Sequence, residues 1–187
     1  MNLPNLKSSL YTYLIEQRTE IDYDVYLYGY TAFINYLYYV MITFPIAFIL
    51  GKVMEVLTFL FFFIPLRRYI GGYHFGSKKL CLIFSVLFSF FIPYLAIWSG
   101  NINLYIRILI IIIMVNLTIK IKAVDHPNKR ISPSEKSIYT KKSLVIETLY
   151  SLGILILYND FTYMYLNIAF FSMIFCVSGT LIAKLKD

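Results

Sequence analysis

His74 and Cys81 stand seven residues apart in "RRYIGGYHFGSKKLC", the stretch from Arg67 to Cys81. A cysteine thiolate is a strong nucleophile. A nearby imidazole can set its protonation and later hand a proton to a leaving amine. Gly71-Gly72 breaks helix regularity just before the histidine, and Ser77 is a suitable N-cap for a helix that begins at the two lysines. With that start, Cys81 sits just past the first turn, and the preceding segment can fold His74 back onto it. The helix N-terminus, Lys78 and Lys79 all favour a thiolate there. The glycines let a substrate backbone approach closely. Their N–H groups, or the guanidinium of Arg67 or Arg68, are candidates for stabilising an oxyanion. Metal binding fits less well. His74 and Cys81 make two ligands where structural zinc takes about four, and no second cysteine lies near His126.

Taken singly, these residues have bland readings. A lone cysteine in an apolar segment usually packs as a small hydrophobe, and a histidine among basic residues is often interfacial. The flanking elements therefore matter. The chain has 187 residues, is 59% hydrophobic and has a mean hydropathy of +0.70. A soluble domain holds about 45–50% apolar residues, so the excess implies a membrane protein. Aromatic residues of the kind that gather at membrane interfaces are abundant, with 18 Tyr and 16 Phe. The first 20 residues lack the unbroken apolar core of a cleavable signal. The apolar stretches are continuous runs without period-two alternation, which argues against an outer-membrane barrel.

Leu3, Leu6, Leu10, Tyr13 and Leu14 form one apolar stripe at helical spacing, too short and polar to span. The expected architecture is all-α. It is a polytopic integral membrane protein with about six transmembrane helices and an N-terminal interfacial amphipathic helix, in a single helical domain over 1–187. The spans fall near 31–50, 53–66, 80–98, 104–119, 143–158 and 161–183. The second is short and carries Glu55. In the six-span arrangement, fifteen of the seventeen Lys and Arg residues lie on one side, leaving Lys52 and Arg107 opposite. That asymmetry places residues 1–24, the loops 67–79 and 120–142, and both termini in the cytoplasm. The candidate site then lies at the cytoplasmic mouth of spans two and three.

Arg68, Gly71, Gly72 and His74, followed seven residues later by Cys81 and set between two hydrophobic spans, resemble the accessory gene regulator B family. These are membrane cysteine endopeptidases that process quorum-sensing propeptides. Length, hydropathy, the N-terminal surface helix and a proline-containing basic loop after span four extend the resemblance over the whole chain. Phe75 departs from the small residue common after the histidine. The resemblance implies that Cys81 is the nucleophile and His74 its base. It also implies a propeptide with an amphipathic leader and an acidic C-terminal tail. Cys81 attacks where the tail begins and forms an acyl-enzyme thioester. An internal Cys or Ser of the propeptide then closes a thiolactone or lactone. A bacterial cytoplasmic membrane and a homodimer are implied as well, with no cofactor, metal or nucleic-acid partner. No GxxxxGK[ST] loop is present, which agrees with ring closure that needs no nucleotide.

The loop 120–142 has seven basic and two acidic residues. Its bland role is topology and contact with anionic lipid. Its functional role is a dock for the acidic tail, with Lys129 and Arg130 as contacts. His126 is an alternative base, ranked below His74 because Pro127 and a long loop separate it from Cys81. Glu55 and Glu147 lie in apolar runs near predicted span ends. Each is expected to snorkel or to pair with Lys52 or Lys142. Arg107 is expected to snorkel to the interface. Cys176 is expected to pack, and both cysteines to be free thiols. The competing readings are a non-enzymatic sensor or transport component and, further back, a peptide exporter. The exporter lacks charges deep in several spans and a nucleotide site.

Overall fold

A computed structural model of the 187-residue chain describes residue 12 and residues 23–73, 76–124, 132–157 and 162–186. The expected surface helix over 3–14, His74, Phe75, His126, Lys129 and Arg130 lie outside these residues. The chain divides into two compact units, residues 1–43 and 44–187. Six α-helices are described: α1 Tyr23–Ile49, α2 Val53–Ile70, α3 Lys78–Trp98, α4 Leu104–Ile121, α5 Pro133–Ile156 and α6 Tyr163–Lys186. The described residues contain no strand. The all-α expectation is met, and the chain is a membrane protein.

Four helical stretches are long and apolar enough to cross a membrane: Gly29–Ile49, Lys79–Trp98, Leu104–Ile121 and Tyr163–Lys186. The other two helices, α2 and α5, carry charges near their ends, including Arg67 and Arg68 in α2 and Glu135 and Lys136 in α5. In the first unit, Tyr23, Tyr26 and Tyr30 stack along one side of α1. In the second, α6 is the hub and packs against α2, α3, α4 and α5. A helix that is apolar on all sides is stable only when surrounded, and α6 buries Leu166, Ala169, Phe170, Met173, Cys176 and Val177 in one cluster with Leu66, Ile70, Ile111 and Ile154. The outer helices turn Phe61, Leu87, Leu109, Ile112 and Leu149 outward. Polar Thr118, Ser143, Glu147, Asn167 and Thr180 point inward. Lipid favours this distribution because hydrocarbon offers no partner to a polar group.

Proline sits inside three of the helices, Pro45 in α1, Pro65 in α2 and Pro93 in α3. Pro65 has no N–H, so the carbonyl of Phe61 loses its helical donor. The Tyr150 hydroxyl of α5 donates to it at 3.4 Å. α5 begins ten residues earlier than the apolar run expected from Ser143. Its start is a capping box: the Ser132 side chain accepts from Glu135 N–H, and Ser132 N–H donates to Glu135 Oε2 at 2.8 Å.

Three expectations about intramembrane charge sort differently. Glu55 pairs with Lys52 at 2.9 Å, as expected. Arg107 does not snorkel. It has no exposed surface, donates to Asn167 Oδ1 at 2.8 Å and lies over the Phe170 ring. Asn167 in turn donates to the Gly100 and Ala96 carbonyls. A partner sixty positions away makes burial cheaper than reaching for water. Glu147 neither snorkels nor pairs with Lys142. It is fully buried, and the Lys142 ammonium lies over the Tyr69 ring at 5.4 Å.

Candidate active site

α2 stops where its residues can no longer hold helical angles. Gly71 N–H makes the last helical bond, to Arg67 O at 3.1 Å, and Gly71 and Gly72 then adopt φ of 80° and 146°. Both values lie in the region that favours glycine. The turn they form is tied from three sides. Arg67 reaches forward along its own helix and donates through Nη1 to Gly71 O at 2.9 Å and through Nη2 to Tyr73 O at 2.7 Å. α6 contributes Gly179 O, which accepts from Tyr73 N–H at 3.0 Å, and the Thr180 hydroxyl, which donates to Gly71 O at 3.3 Å. Past the end of α4, Val124 N–H donates to Ile70 O at 3.1 Å. Lys186 donates to the Tyr73 hydroxyl at 2.8 Å.

Space explains the glycines as firmly as angle does. A Cβ on Gly71 would lie 2.6 Å from Val124 O, a backbone atom. A Cβ on Gly72 would occupy the place of Arg67 Nη1. Arg67 and Gly72 are therefore a matched pair: the guanidinium fills the volume that the missing side chain leaves. Gly179 of α6 is not so constrained: a Cβ there would stand 3.6 Å from Nη1, an ordinary van der Waals contact.

Beyond the turn, Ser77 is extended, with φ −101° and ψ 128°, and α3 starts at Lys78. Ser77 holds the N-cap position expected of it. Its side chain makes no capping bond; its carbonyl accepts from Cys81 N–H at 3.0 Å. Cys81 thus lies just past the first turn of α3 and is half-buried. Cys176 is fully buried, and both thiols are free, as expected. Burial pulls the proton affinity of Arg67 below its ordinary value, and electrostatic coupling to Cys176 and Cys81 pushes it back up. Arginine keeps its proton in either case, so a fixed positive charge lies within electrostatic reach of Cys81.

The predicted residues separate as follows. Arg67, Gly71 and Gly72 come together where α2 meets α6, and Cys81, at the start of α3, lies within electrostatic reach of Arg67. Arg68 is exposed and makes no contact with the turn among the described hydrogen bonds. Gly71 N–H is spent on Arg67 O, and two Arg67 donors are spent on the turn. Thr180 and Gly179 take part in holding the turn without having been singled out from sequence. They contact it across about a hundred residues, and no local pattern announces such a pairing. No group of three or more His, Cys, Asp or Glu suited to a metal ion occurs among the described residues.

The sequence model of one family, described as accessory gene regulator B, matches residues 8–181. An AgrB-like protein of Clostridium perfringens (strain SM101 / Type A) is 31% identical over 157 residues, 75% of this chain and 73% of that protein. A second AgrB-like protein, from Clostridium perfringens (strain 13 / Type A), is 29% identical over 158 residues, 76% of this chain and 74% of its own length. No solved structure matches the chain.

Proposed function

From the premise that this chain belongs to the accessory gene regulator B family, whose members take part in processing quorum-sensing propeptides, we propose that it is a membrane cysteine endopeptidase working through Cys81 and His74. The observation that carries this reading is the placement of Cys81, half-buried just past the first turn of α3 and within electrostatic reach of the Arg67 that fixes the glycine turn. That turn leads directly into His74. The Cys81 sulfur attacks the carbonyl carbon of the residue before the propeptide tail. The C–N bond breaks, His74 gives a proton to the departing amine, and the peptide remains as a thioester on Cys81. An internal thiol or hydroxyl of the propeptide then attacks the thioester, restores the Cys81 thiol and leaves a thiolactone or lactone ring. Thioester exchange for thiolactone is close to isoenergetic, so no nucleotide is required for closure.

Arg67 serves as a positioning residue, because its donors hold the turn and not the substrate. With Gly71 N–H already bonded, the oxyanion role falls to Gly72 N–H. Mass spectrometry of a propeptide co-expressed with the protein tests the reading. Loss of the C-terminal tail and a covalent adduct released by hydroxylamine are expected. A full-length propeptide with no adduct, under conditions where both proteins reach the membrane, would sink it.

The basic loop 120–142 is proposed as the dock for an acidic propeptide tail, with Lys129 and Arg130 as contacts. Exposed charge contacts are screened by salt. Neutralising both residues should slow processing about tenfold at low salt and flatten its salt dependence. Unchanged processing would leave the loop only its topological role.

From the charge asymmetry we propose that both termini and the site lie on the cytoplasmic side of a bacterial membrane, and from the family resemblance that the protein is a homodimer. A reporter fused after Asp187 that works only in the cytoplasm should be active. Activity of an extracytoplasmic reporter at the same position would overturn this orientation.

A further inference from the structure

The polar residues inside the bundle mostly have internal partners. Thr140 donates to Lys136 O and accepts from Ala123 N–H. Ser143 donates to Thr140 O, Ser151 to Glu147 O and Ser172 to Ile168 O. Glu147 of α5 and Thr118 of α4 differ. Both side chains have no exposed surface. Apart from an approach of the Thr118 hydroxyl to the Glu147 carboxyl across the α4–α5 contact, too loose for a well-formed hydrogen bond, neither group has a hydrogen-bond partner.

Among the described residues no salt bridge reaches this acid: Lys52 pairs with Glu55, and Lys184 of α6 donates to the Lys120 and Ile121 carbonyls at the end of α4. Lys142 lies over Tyr69. From α2, Arg67 directs two donors to the glycine turn, and Cys176 of α6 lies within electrostatic reach of both Arg67 and Glu147. On α5 itself, Tyr150 points to Phe61 O. An ionised carboxylate without hydrogen bonds in a low-dielectric interior is among the costliest arrangements a protein can hold. Buried acids inside membrane bundles accordingly mark ion or proton sites. Thr118 also lies in the last turn of α4, where the negative end of the helix dipole attracts positive charge.

We propose that Glu147 and Thr118 form an internal binding site for a small hard monovalent cation. Three oxygens from two helices supply the ligands. A sodium ion and a proton satisfy the same atoms, the first by coordination to carboxylate and hydroxyl, the second by a hydrogen bond shared between them. Occupancy neutralises the acid and draws α4 and α5 together beneath the glycine turn. This does not depend on the peptidase reading.

The test is the thermal unfolding midpoint of the full chain in detergent, in sodium chloride against choline chloride at equal ionic strength and pH 8, and in choline chloride at pH 6. For a sodium site, the wild type should melt about 5 °C or more higher in sodium than in choline at pH 8. For a proton site, sodium should do nothing, and the pH 6 sample should gain a similar amount relative to Glu147→Gln. Glu147→Gln should remove either response. If that variant does not fold, Thr118→Val keeps the acid and removes one ligand. It should raise the sodium concentration, or the proton concentration, needed for half the effect about tenfold. A wild-type midpoint indifferent to sodium, and no more acid-dependent than Glu147→Gln, overturns the proposal. So does a half-effect concentration unmoved by Thr118→Val.

Discussion

Replacing Cys81 with alanine abolishes release of the propeptide tail, while the protein still inserts and still holds the propeptide. The expected loss is at least about 10³-fold, because removing the nucleophile removes the covalent route entirely. Cys81→Ser should be nearly as inactive, since a hydroxyl beside the same base is far less ionised than a thiol. His74→Ala should cost about 10²–10⁴-fold, the usual range for a positioned acid–base group. Cys176→Ala provides the contrast. This thiol is fully buried among Met173, Val177 and Leu66, so its loss costs stability, about 1 kcal/mol, and spares processing. The propeptide mass after co-expression with each variant reads all four. Tail removal by Cys81→Ala, or its loss in Cys176→Ala at normal protein levels, would falsify the assignment.

Gly72→Ala should be the next most damaging change, although it removes no reacting atom. The added methyl would claim the position of Arg67 Nη1 and stand 2.5 Å from Cζ. The guanidinium must then leave and give up its bonds to Gly71 O and Tyr73 O. Hydrogen bonds to charged groups are worth about 1.5–3 kcal/mol each, and a non-glycine residue at φ 146° adds strain. Together these cost about 3 kcal/mol or more of the ordered turn, on the order of 10²-fold in processing. A double-mutant cycle separates displacement of Arg67 from other causes. Arg67→Ala alone should lose a similar factor, and Arg67→Ala with Gly72→Ala should be little worse than Arg67→Ala. Fully additive losses would mean that the two residues act independently.

The helices were legible because apolar runs of near-span length leave few alternatives, and α3 and α4 fall within a residue or two of their expected bounds. α5 was misjudged at its start. A hydropathy window registers Ser143 onward, but a helix begins at its cap, and Ser132 with Glu135 was the visible signal. Local pairings were also legible, as with Lys52 and Glu55 three residues apart. Distant ones were not. Arg107 looked interfacial until Asn167 appeared as its partner, and Glu147 looked like a partner for Lys142 although the bundle turns them to different sides. At the site, residue types pointed to Arg67, Gly71, Gly72 and Cys81. Sequence could not divide the labour between Arg67 and Arg68, because only the bend after Ile70 decides which guanidinium meets the turn.

The bond from Thr180 to Gly71 spans 109 positions, and Gly179 joins Tyr73 over a similar distance. Synthesis runs from the N-terminus, so Cys81 is made and inserted long before either of these residues exists. A growing chain therefore carries its thiol without the α6 contacts that fix the turn beside it. Only when α6 settles against α2 do those contacts close, a late and entropically costly joining of chain segments. Truncated or stalled products that end before Gly179 retain Cys81 but lack half of its scaffold. Under the proposed peptidase reading, competence to cut therefore waits on α6, and stalled chains that lack it should be inactive.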